Sequence, residues 1–197
     1  MKKIVLATKN KDKVKEIKAV FAELPAEILS LADFEELPDA VEDGKTFQEN
    51  ASIKAKFFVE KLKLACLADD SGLEVDALNG LPGIYSARFS GYHADDNTNN
   101  QKLLTELEKV GVEESKADYK CVLSFIDTDG TELQTLGTVD GIIKKIPKGT
   151  GGFGYDPYFY IGEDKTMAEL SPEEKNSISH RGKALRKMLP KLKERLT

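Results

Sequence analysis

An apolar run at residues 64–68 passes directly into Asp69-Asp70-Ser71-Gly72, and this junction constrains the chain more than any other segment. Five apolar residues in a row predict a buried β-strand. Two adjacent carboxylates at the end of such a strand are costly, because neighbouring like charges disfavour joint ionisation. Mg²⁺ removes that cost, since it binds one or two carboxylates together with phosphate oxygens and water. The junction therefore predicts a metal-dependent site at the end of a strand.

Adjacent side chains on an extended chain point to opposite faces. We therefore expect only one of the two aspartates, Asp69 or Asp70, to reach a metal or an attacking water. The alternative is a polar turn capped by aspartate, without chemistry.

Strand-like and helix-like patterns alternate along the 197 residues. Apolar runs and alternation predict strands, and apolar residues at helical spacing predict helices. A capping box at Thr46 and Glu49 marks one helix start. The predicted strands cover residues 3–7, 27–31, 64–68, 119–127, 132–146 and 158–161, and the predicted helices cover 12–24, 46–62, 95–110 and 181–194. This pattern predicts an α/β fold with a central mixed sheet flanked by helices, as one domain over residues 1–197.

Composition excludes several classes of protein. The chain is 40% hydrophobic with a net charge of −5, which argues against disorder and against an extended nucleic-acid groove. Cys66 and Cys121 lie in apolar runs, so we expect buried thiols rather than a disulfide scaffold. No stretch approaches the ~20 apolar residues that cross a bilayer, and residues 1–8 fit a first strand rather than a signal peptide. We expect a cytoplasmic protein that binds neither nucleic acid nor membrane.

A phosphate site is predicted between the first strand and the first helix, at Thr8-Lys9-Asn10-Lys11-Asp12-Lys13. Ligands of α/β proteins collect at such strand ends, and a helix amino terminus suits an anion. The segment is not a P-loop, because no Gly-x-x-x-x-Gly-Lys-Ser/Thr occurs. The alternative is an ordinary strand–helix turn with solvated lysines.

Three further segments are candidates for chemistry. Glu42, in the acidic segment 33–45, is a possible second metal ligand or a solvated loop carboxylate. Residues 149–154 contain a formal Gly-x-Gly-x-x-Gly, but no helix is predicted to follow, so we reject a dinucleotide site. Phe153 is placed to stack on a base or to pack in the core. Lys175 and the segment Ser179-His180-Arg181 offer cations for a phosphate or a carbonyl edge.

Six segments in order resemble the inosine triphosphate pyrophosphatases, from the first strand to the final helix. They are Thr8-Lys9-Asn10-x-x-Lys13, Thr46-Phe47-x-Glu49-Asn50-Ala51, Asp69-Asp70-Ser71-Gly72-Leu73, Gly80-x-Pro82-Gly83-x-Tyr85-Ser86-Ala87-Arg88, Gly152-Phe153-Gly154-Tyr155-Asp156-Pro157 and Ser179-His180-Arg181. Each motif alone is modest, whereas six in this order are specific.

The resemblance implies Mg²⁺-dependent cleavage between the α and β phosphates of inosine, deoxyinosine and xanthosine triphosphates, which removes altered purines from the nucleotide pool. It also implies two lobes around a cleft and a homodimer. By position, Asp70 resembles the general base and a metal ligand, and Glu42 the other ligand. The substrate contacts implied by position are Thr8, Lys9, Asn10, Lys11, Asp12, Lys13, Lys54, Ser71, Phe153, Gly154, Tyr155, Asp156, Lys175, His180 and Arg181.

One departure is visible, because the family often has glycine where this chain has Lys9. A lysine there needs a backbone that tolerates a side chain, and it adds charge beside the phosphates. Two other functions stay open at this point: a related pyrophosphatase for modified pyrimidine or other nucleotides, and a nucleotide-binding protein without catalysis.

Overall fold

The computed structural model describes all 197 residues, with six strands and five α-helices. In chain order these are β1 (Lys2–Leu6), α1 (Lys11–Val20), β2 (Ala26–Ser30), α2 (Phe47–Leu62), β3 (Ala65–Val75), α3 (Asp96–Lys109), β4 (Glu114–Ile126), β5 (Glu132–Lys144), β6 (Phe159–Tyr160), α4 (Pro172–Ile178) and α5 (His180–Leu196).

The six strands form one sheet in the order β2-β1-β3-β4-β5-β6. β1 pairs in parallel with both β2 and β3, whereas β5 and β6 are antiparallel. The sheet is therefore mixed, and the predicted α/β class is confirmed. Leu6 pairs with Leu67, so the segment after β1 lies next to the part of β3 that carries Asp69.

The chain divides into two compact units. The first contains Met1–Asp70, Cys121–Gly137 and Arg181–Thr197. The second contains Ser71–Lys120 and Thr138–His180. β3, β4 and β5 each contribute residues to both units.

The first unit has an apolar core on each face of its sheet. Ala65 and Leu67 of β3 pack in a cluster with side chains of α1 and α5. Cys66 and Ala68, which alternate with them, pack in a second cluster with side chains of α2. Because both faces are covered, this part of β3 is apolar at every position rather than at alternate ones.

Both cysteines are buried and free, as expected. Burial raises the pKa of the Cys66 thiol and of the Cys121 thiol to about 12. They act as small apolar side chains in the core.

The core of the second unit gathers side chains from strands and one helix. Leu73 and Val75 of β3 pack with Leu103 and Leu107 of α3. Aromatic side chains complete this core, and Tyr119 and Phe159 lie 4.5 Å apart between ring centroids.

Two predicted boundaries are wrong in ways that bear on the site. β3 does not end before Asp69 but runs on to Val75, because Leu73 and Val75 resume the alternation after the polar stretch. α1 ends at Val20 rather than residue 24, although Phe21 and Leu24 stay buried in the same core. Pro25 disfavours a helical conformation at Leu24, so the helix ends before that residue.

Other differences are smaller. β4 begins at Glu114 rather than 119, and α5 begins at His180. Helix α4 was not predicted. Thr46 caps α2 as expected, but Glu49 accepts the N–H of Lys45 at 2.6 Å instead of that of Thr46. No helix is long and apolar enough to span a membrane.

Gly141 allows β6 to approach β5. A Cβ at this position would lie 2.5 Å from both the Phe159 ring and the Tyr160 carbonyl oxygen. Overpacking a filled core costs about 1–3 kcal/mol. We expect Gly141→Ala to lower the free energy of unfolding by that amount in urea denaturation.

The control is Gly162→Ala, because a Cβ at Gly162 meets nothing within 4 Å. This variant should stay within ~0.5 kcal/mol of the parent, as surface substitutions usually do. Equal stabilities for the two variants would contradict the close approach of β6.

Candidate active site

The two aspartates of β3 face opposite sides of the sheet, as the strand period predicts. Asp69 shares its face with Leu67 and lies on the side of α1 and α5, whereas Asp70 shares its face with Ala68 and lies on the side of α2. Both belong to the first unit. Adjacent carboxylates therefore have separate surroundings.

Asp69 is an ionised anchor. Its side chain is buried, and Oδ2 lies 2.7 Å from Nζ of Lys13 in α1 and 3.6 Å from Nη2 of Arg181 in α5. Arg181 Nη1 also lies 2.7 Å from Oε2 of Glu16. Burial alone would raise the pKa of Asp69, but Lys13, Arg181 and Lys54 hold it well below its usual range. Asp69 thus ties two helices to the strand.

Asp70 has a different environment. Its Oδ2 is buried without a hydrogen-bond partner. Burial, together with the charges of Glu42 and Asp69, raises the pKa of Asp70 to about 6, although Lys54 and Asn50 oppose the rise. Neighbouring carboxyl groups with pKa values pushed apart are typical of acid–base sites. The environments identify Asp70 as the group able to accept a proton near neutral pH.

Lys54 brings positive charge to the same place. Its Nζ lies 3.0 Å from Oε1 of Glu42 and 3.0 Å from the backbone oxygen of Asp69. Burial would lower the pKa of Lys54, but Asp69, Glu42 and Asp70 raise it above the usual value. The lysine therefore stays charged beside the carboxylates, where it can meet an anionic substrate.

The predicted phosphate segment follows β1. Asn10 caps α1, because its Oδ1 accepts the N–H groups of Asp12 at 2.9 Å and Lys13 at 3.1 Å. Thr8 Oγ1 accepts the N–H of Asn10 at 3.2 Å. Lys9 Nζ lies 2.8 Å from Oδ1 of Asp39, and Lys11 is exposed. Thr8 and Asn10 thus shape the turn, and lysine side chains surround it.

The donor set near Asp70 fits a hard cation. Asp70 and Glu42 bring two carboxylates together around Lys54, and one Asp70 oxygen has no partner. No group of three or more metal-ligating side chains occurs in the chain. Two carboxylates completed by phosphate oxygens and water are the arrangement that Mg²⁺ favours.

Phe153, Asp156 and Lys175, three of the predicted substrate contacts, surround a buried ion pair in the second unit. Lys175 Nζ lies 2.7 Å from Oδ2 of Asp156 and 4.1 Å from the centroid of the Phe153 ring. The same Asp156 oxygen accepts the N–H of Phe153 at 2.9 Å. Gly152 is required here, because a Cβ would lie 2.1 Å from that oxygen. The ion pair thus fixes the Phe153 ring.

Neighbouring contacts hold the rest of this loop. Asp96 accepts the N–H of Gly154 at 2.7 Å, and Asn100 donates to the Gly154 carbonyl at 2.9 Å. Tyr155 donates its hydroxyl to the Ser86 carbonyl at 2.7 Å. His180 stacks on Tyr119 with centroids 4.6 Å apart. Ser71 follows Asp70 in β3.

Sequence reasoning missed two residues that contact these groups. Glu16, which pairs with Arg181, carries no local signal because the pair joins residues 165 positions apart. Asn50 does carry one: it is a polar residue three positions after Phe47 on the inner face of α2, and it is fully buried.

Because Asp69 and Asp70 have different surroundings, we expect an Asp→Asn substitution to change the free energy of unfolding in opposite directions at the two positions. In metal-free protein, the ionised Asp70 costs stability because its folded pKa lies above the usual 3.8. At ~1.4 kcal/mol for each pKa unit, Asp70→Asn should stabilise the fold by up to about 3 kcal/mol above pH 6. The gain should shrink as pH falls below 6 and vanish near pH 4. Urea denaturation in EDTA across this pH range measures it.

Asp69→Asn is the matched control. The substitution removes the negative charge that pairs with Lys13 and Arg181. Breaking a buried ion pair costs about 3–5 kcal/mol. We therefore expect destabilisation at neutral pH. Destabilisation by both substitutions would contradict the assigned environments.

Known proteins resemble this chain along most of its length. The model of the Ham1 family matches residues 4–191. The dITP/XTP pyrophosphatase of Geobacter sulfurreducens is 51% identical over 186 residues, covering 94% of each chain. That of Bacillus anthracis is 48% identical over 197 residues, covering 98% of each chain.

Solved structures give the same result. A HAM1 protein from Coxiella burnetii is 40% identical, with a TM-score of 0.90 over 98% of this chain and 100% of that one. A nucleoside-triphosphatase, or dITP/XTP pyrophosphatase, from Mycobacterium abscessus is 44% identical, with a TM-score of 0.77 over 95% and 99%. The chain therefore belongs to the Ham1 family.

Proposed function

We propose that this protein is a Mg²⁺-dependent pyrophosphatase that cleaves the α–β bond of inosine, deoxyinosine and xanthosine triphosphates. The products are a nucleoside monophosphate and pyrophosphate, so the enzyme clears altered purine nucleotides from the pool. Relatives named dITP/XTP pyrophosphatase, about half identical along nearly the whole chain, support this activity.

One observation carries the proposal: the pKa values of two adjacent carboxyl groups are shifted in opposite directions. Asp69 is ionised and fixed by Lys13 and Arg181, whereas Asp70 has a pKa raised to about 6 and a buried oxygen without a partner. A protein that only bound nucleotides would gain nothing from a second buried carboxylate facing a triphosphate. A hydrolase needs a base there.

In the reaction, Asp70 orients a water molecule and accepts its proton as the water attacks phosphorus. A base with a pKa of about 6 is matched to neutral pH, which favours proton transfer. Glu42 and Asp70 would hold Mg²⁺, which supplies charge neutralisation at the phosphate oxygens and lowers the pKa of bound water.

Lysine side chains bind the phosphates in this proposal. Lys54 lies beside Glu42 and next to the Asp69 backbone, and Lys13 is fixed by Asp69. Fixed cations stabilise developing negative charge without reorganising during the step. The turn at Thr8–Lys13 would add side-chain donors from Thr8, Lys9, Asn10 and Lys11, with Asp12 beside them. Ser71 would add a hydroxyl next to Asp70.

Base selectivity is assigned to the contacts of the second unit and to the start of α5. Phe153 would stack on the purine, with Gly154, Tyr155 and Asp156 shaping its loop. Lys175, His180 and Arg181 would offer donors to a 6-oxo edge, where adenine presents an amino group. Sites built to hydrogen-bond a group can reject its absence by ~10⁴ or more. A homodimer in the cytoplasm is part of the same proposal.

Product analysis tests the function. The protein is incubated with inosine triphosphate and Mg²⁺, and pyrophosphate and orthophosphate are assayed separately, with xanthosine, adenosine and guanosine triphosphates alongside. We expect pyrophosphate release with strong preference for the inosine and xanthosine substrates. Orthophosphate release would place the cleavage at another bond and overturn the proposal.

Asp70→Asn is the informative variant. It keeps the size of the side chain but removes the base and a metal ligand, so turnover should fall by at least ~10²-fold. Circular dichroism should show an intact fold. Near-parental turnover of the variant would exclude Asp70 as the base. If the parent protein keeps a bound nucleotide intact in the presence of Mg²⁺, the result would favour binding without catalysis.

A further inference from the structure

Asn50 is a buried polar residue with no assigned role beside the proposed metal ligands. It lies on α2 and is 0% exposed, within the segment from Thr46 to Ala51 that carries part of the family resemblance. Apolar side chains occupy the other buried positions of this helix, Phe47, Ala51, Ala55 and Phe58. A buried amide at such a position needs hydrogen-bond partners.

The carbonyl oxygen of Asn50 holds the segment that carries Glu42. Oδ1 accepts the N–H of Gly44 at 2.9 Å. A Cβ at Gly44 would lie 2.7 Å from this oxygen and 2.8 Å from Cβ of Glu49, so only glycine permits the approach. Because residues 38–44 have no regular secondary structure, this bond fixes the backbone two residues from Glu42.

The amide nitrogen of Asn50 acts on Asp70. Nδ2 is buried without a hydrogen-bond partner, as is Oδ2 of Asp70. Asp70 faces α2, because it shares its face of β3 with Ala68, which packs in one cluster with Ala55 of that helix. Two buried polar atoms without partners, one on the buried Asn50 and one on the half-buried Asp70, are unusual in a folded protein. A small shift of either group would pair them.

We propose that Asn50 is a positioning residue that sets the Glu42 and Asp70 carboxylates at the spacing a divalent metal needs. One side chain does both, since its oxygen anchors the Glu42 segment and its nitrogen orients Asp70. Groups that orient metal ligands from behind are as important as the ligands, and their loss weakens metal affinity about 10–100-fold. The inference rests on the proposed function only in taking Glu42 and Asp70 as the ligands.

Mn²⁺ binding without nucleotide tests the role directly. Electron paramagnetic resonance of free Mn²⁺ gives the dissociation constant for the parent and for Asn50→Ala. We expect the constant to rise at least tenfold in Asn50→Ala, because the Glu42 segment loses its anchor and Asp70 its neighbour. Gly44→Ala should weaken Mn²⁺ binding in the same direction with Asn50 in place, and it decides the test if Asn50→Ala does not fold.

Asn99→Ala is the matched control. Asn99 lies near the start of α3, is 4% exposed, and also accepts a loop N–H through its side-chain oxygen, from Ser90 at 2.8 Å. It belongs to the second unit, whereas both proposed ligands belong to the first. Its variant should lose thermal stability while keeping the Mn²⁺ dissociation constant within twofold of the parent.

The outcomes separate this inference from the proposed function. An Mn²⁺ constant within twofold of the parent in a folded Asn50→Ala or Gly44→Ala would overturn the role of Asn50, as would equal weakening in Asn99→Ala or no Mn²⁺ binding by the parent. If Mn²⁺ binding depends on Asn50 but the parent protein releases no pyrophosphate, the inference is supported and the proposed activity is overturned.

Discussion

The ion pairs of Asp69 with Lys13 and Arg181 support the rest of the site. They join β3 to α1 and α5 beneath the point where the strand becomes polar. Without these cations the strand could not continue through two carboxylates, because burying an unpaired charge is prohibitive. Lys13 and Arg181 neutralise Asp69 on one face of the strand. Asp70 lies on the opposite face, where burial raises its pKa to about 6. The different surroundings of Asp69 and Asp70 therefore follow from the alternation of side chains between the two faces of β3.

The polar groups around Asp70 lower the stability of the fold. The buried Asp70 oxygen and the Asn50 nitrogen each lack a partner, and each unpaired buried group costs about 1–3 kcal/mol. The surrounding core offsets that cost, since both faces of the first unit are packed with apolar side chains. Strain of this kind at a few polar groups, within a well-packed fold, is typical of functional sites.

Local patterns predict most helices and strands. They also predict that Asp69 and Asp70 face opposite sides of the sheet, because the alternation along a strand depends only on neighbouring residues. They do not predict which cation meets which carboxylate. Lys13 and Asp69 are 56 positions apart, and Glu16 and Arg181 are 165 apart, so only the packing of α1 and α5 against the sheet brings them together. Helix α4 did carry a signal, a capping box at Ser171 and Glu174 with Pro172 at its first turn, but seven residues are too few for periodicity. The tight approach of Gly152 to Asp156 likewise depends on the folded loop.

The central claim is that the pKa of Asp69 is lowered whereas that of Asp70 is raised, and a carboxyl NMR titration tests it most directly. Carbon chemical shifts of the two side chains are followed with pH in metal-free protein, with Asp69→Asn and Asp70→Asn used for assignment. We expect Asp70 to titrate near 6 and Asp69 to remain ionised well below the usual aspartate range. Two aspartates that both titrate near 3.8 would contradict the account.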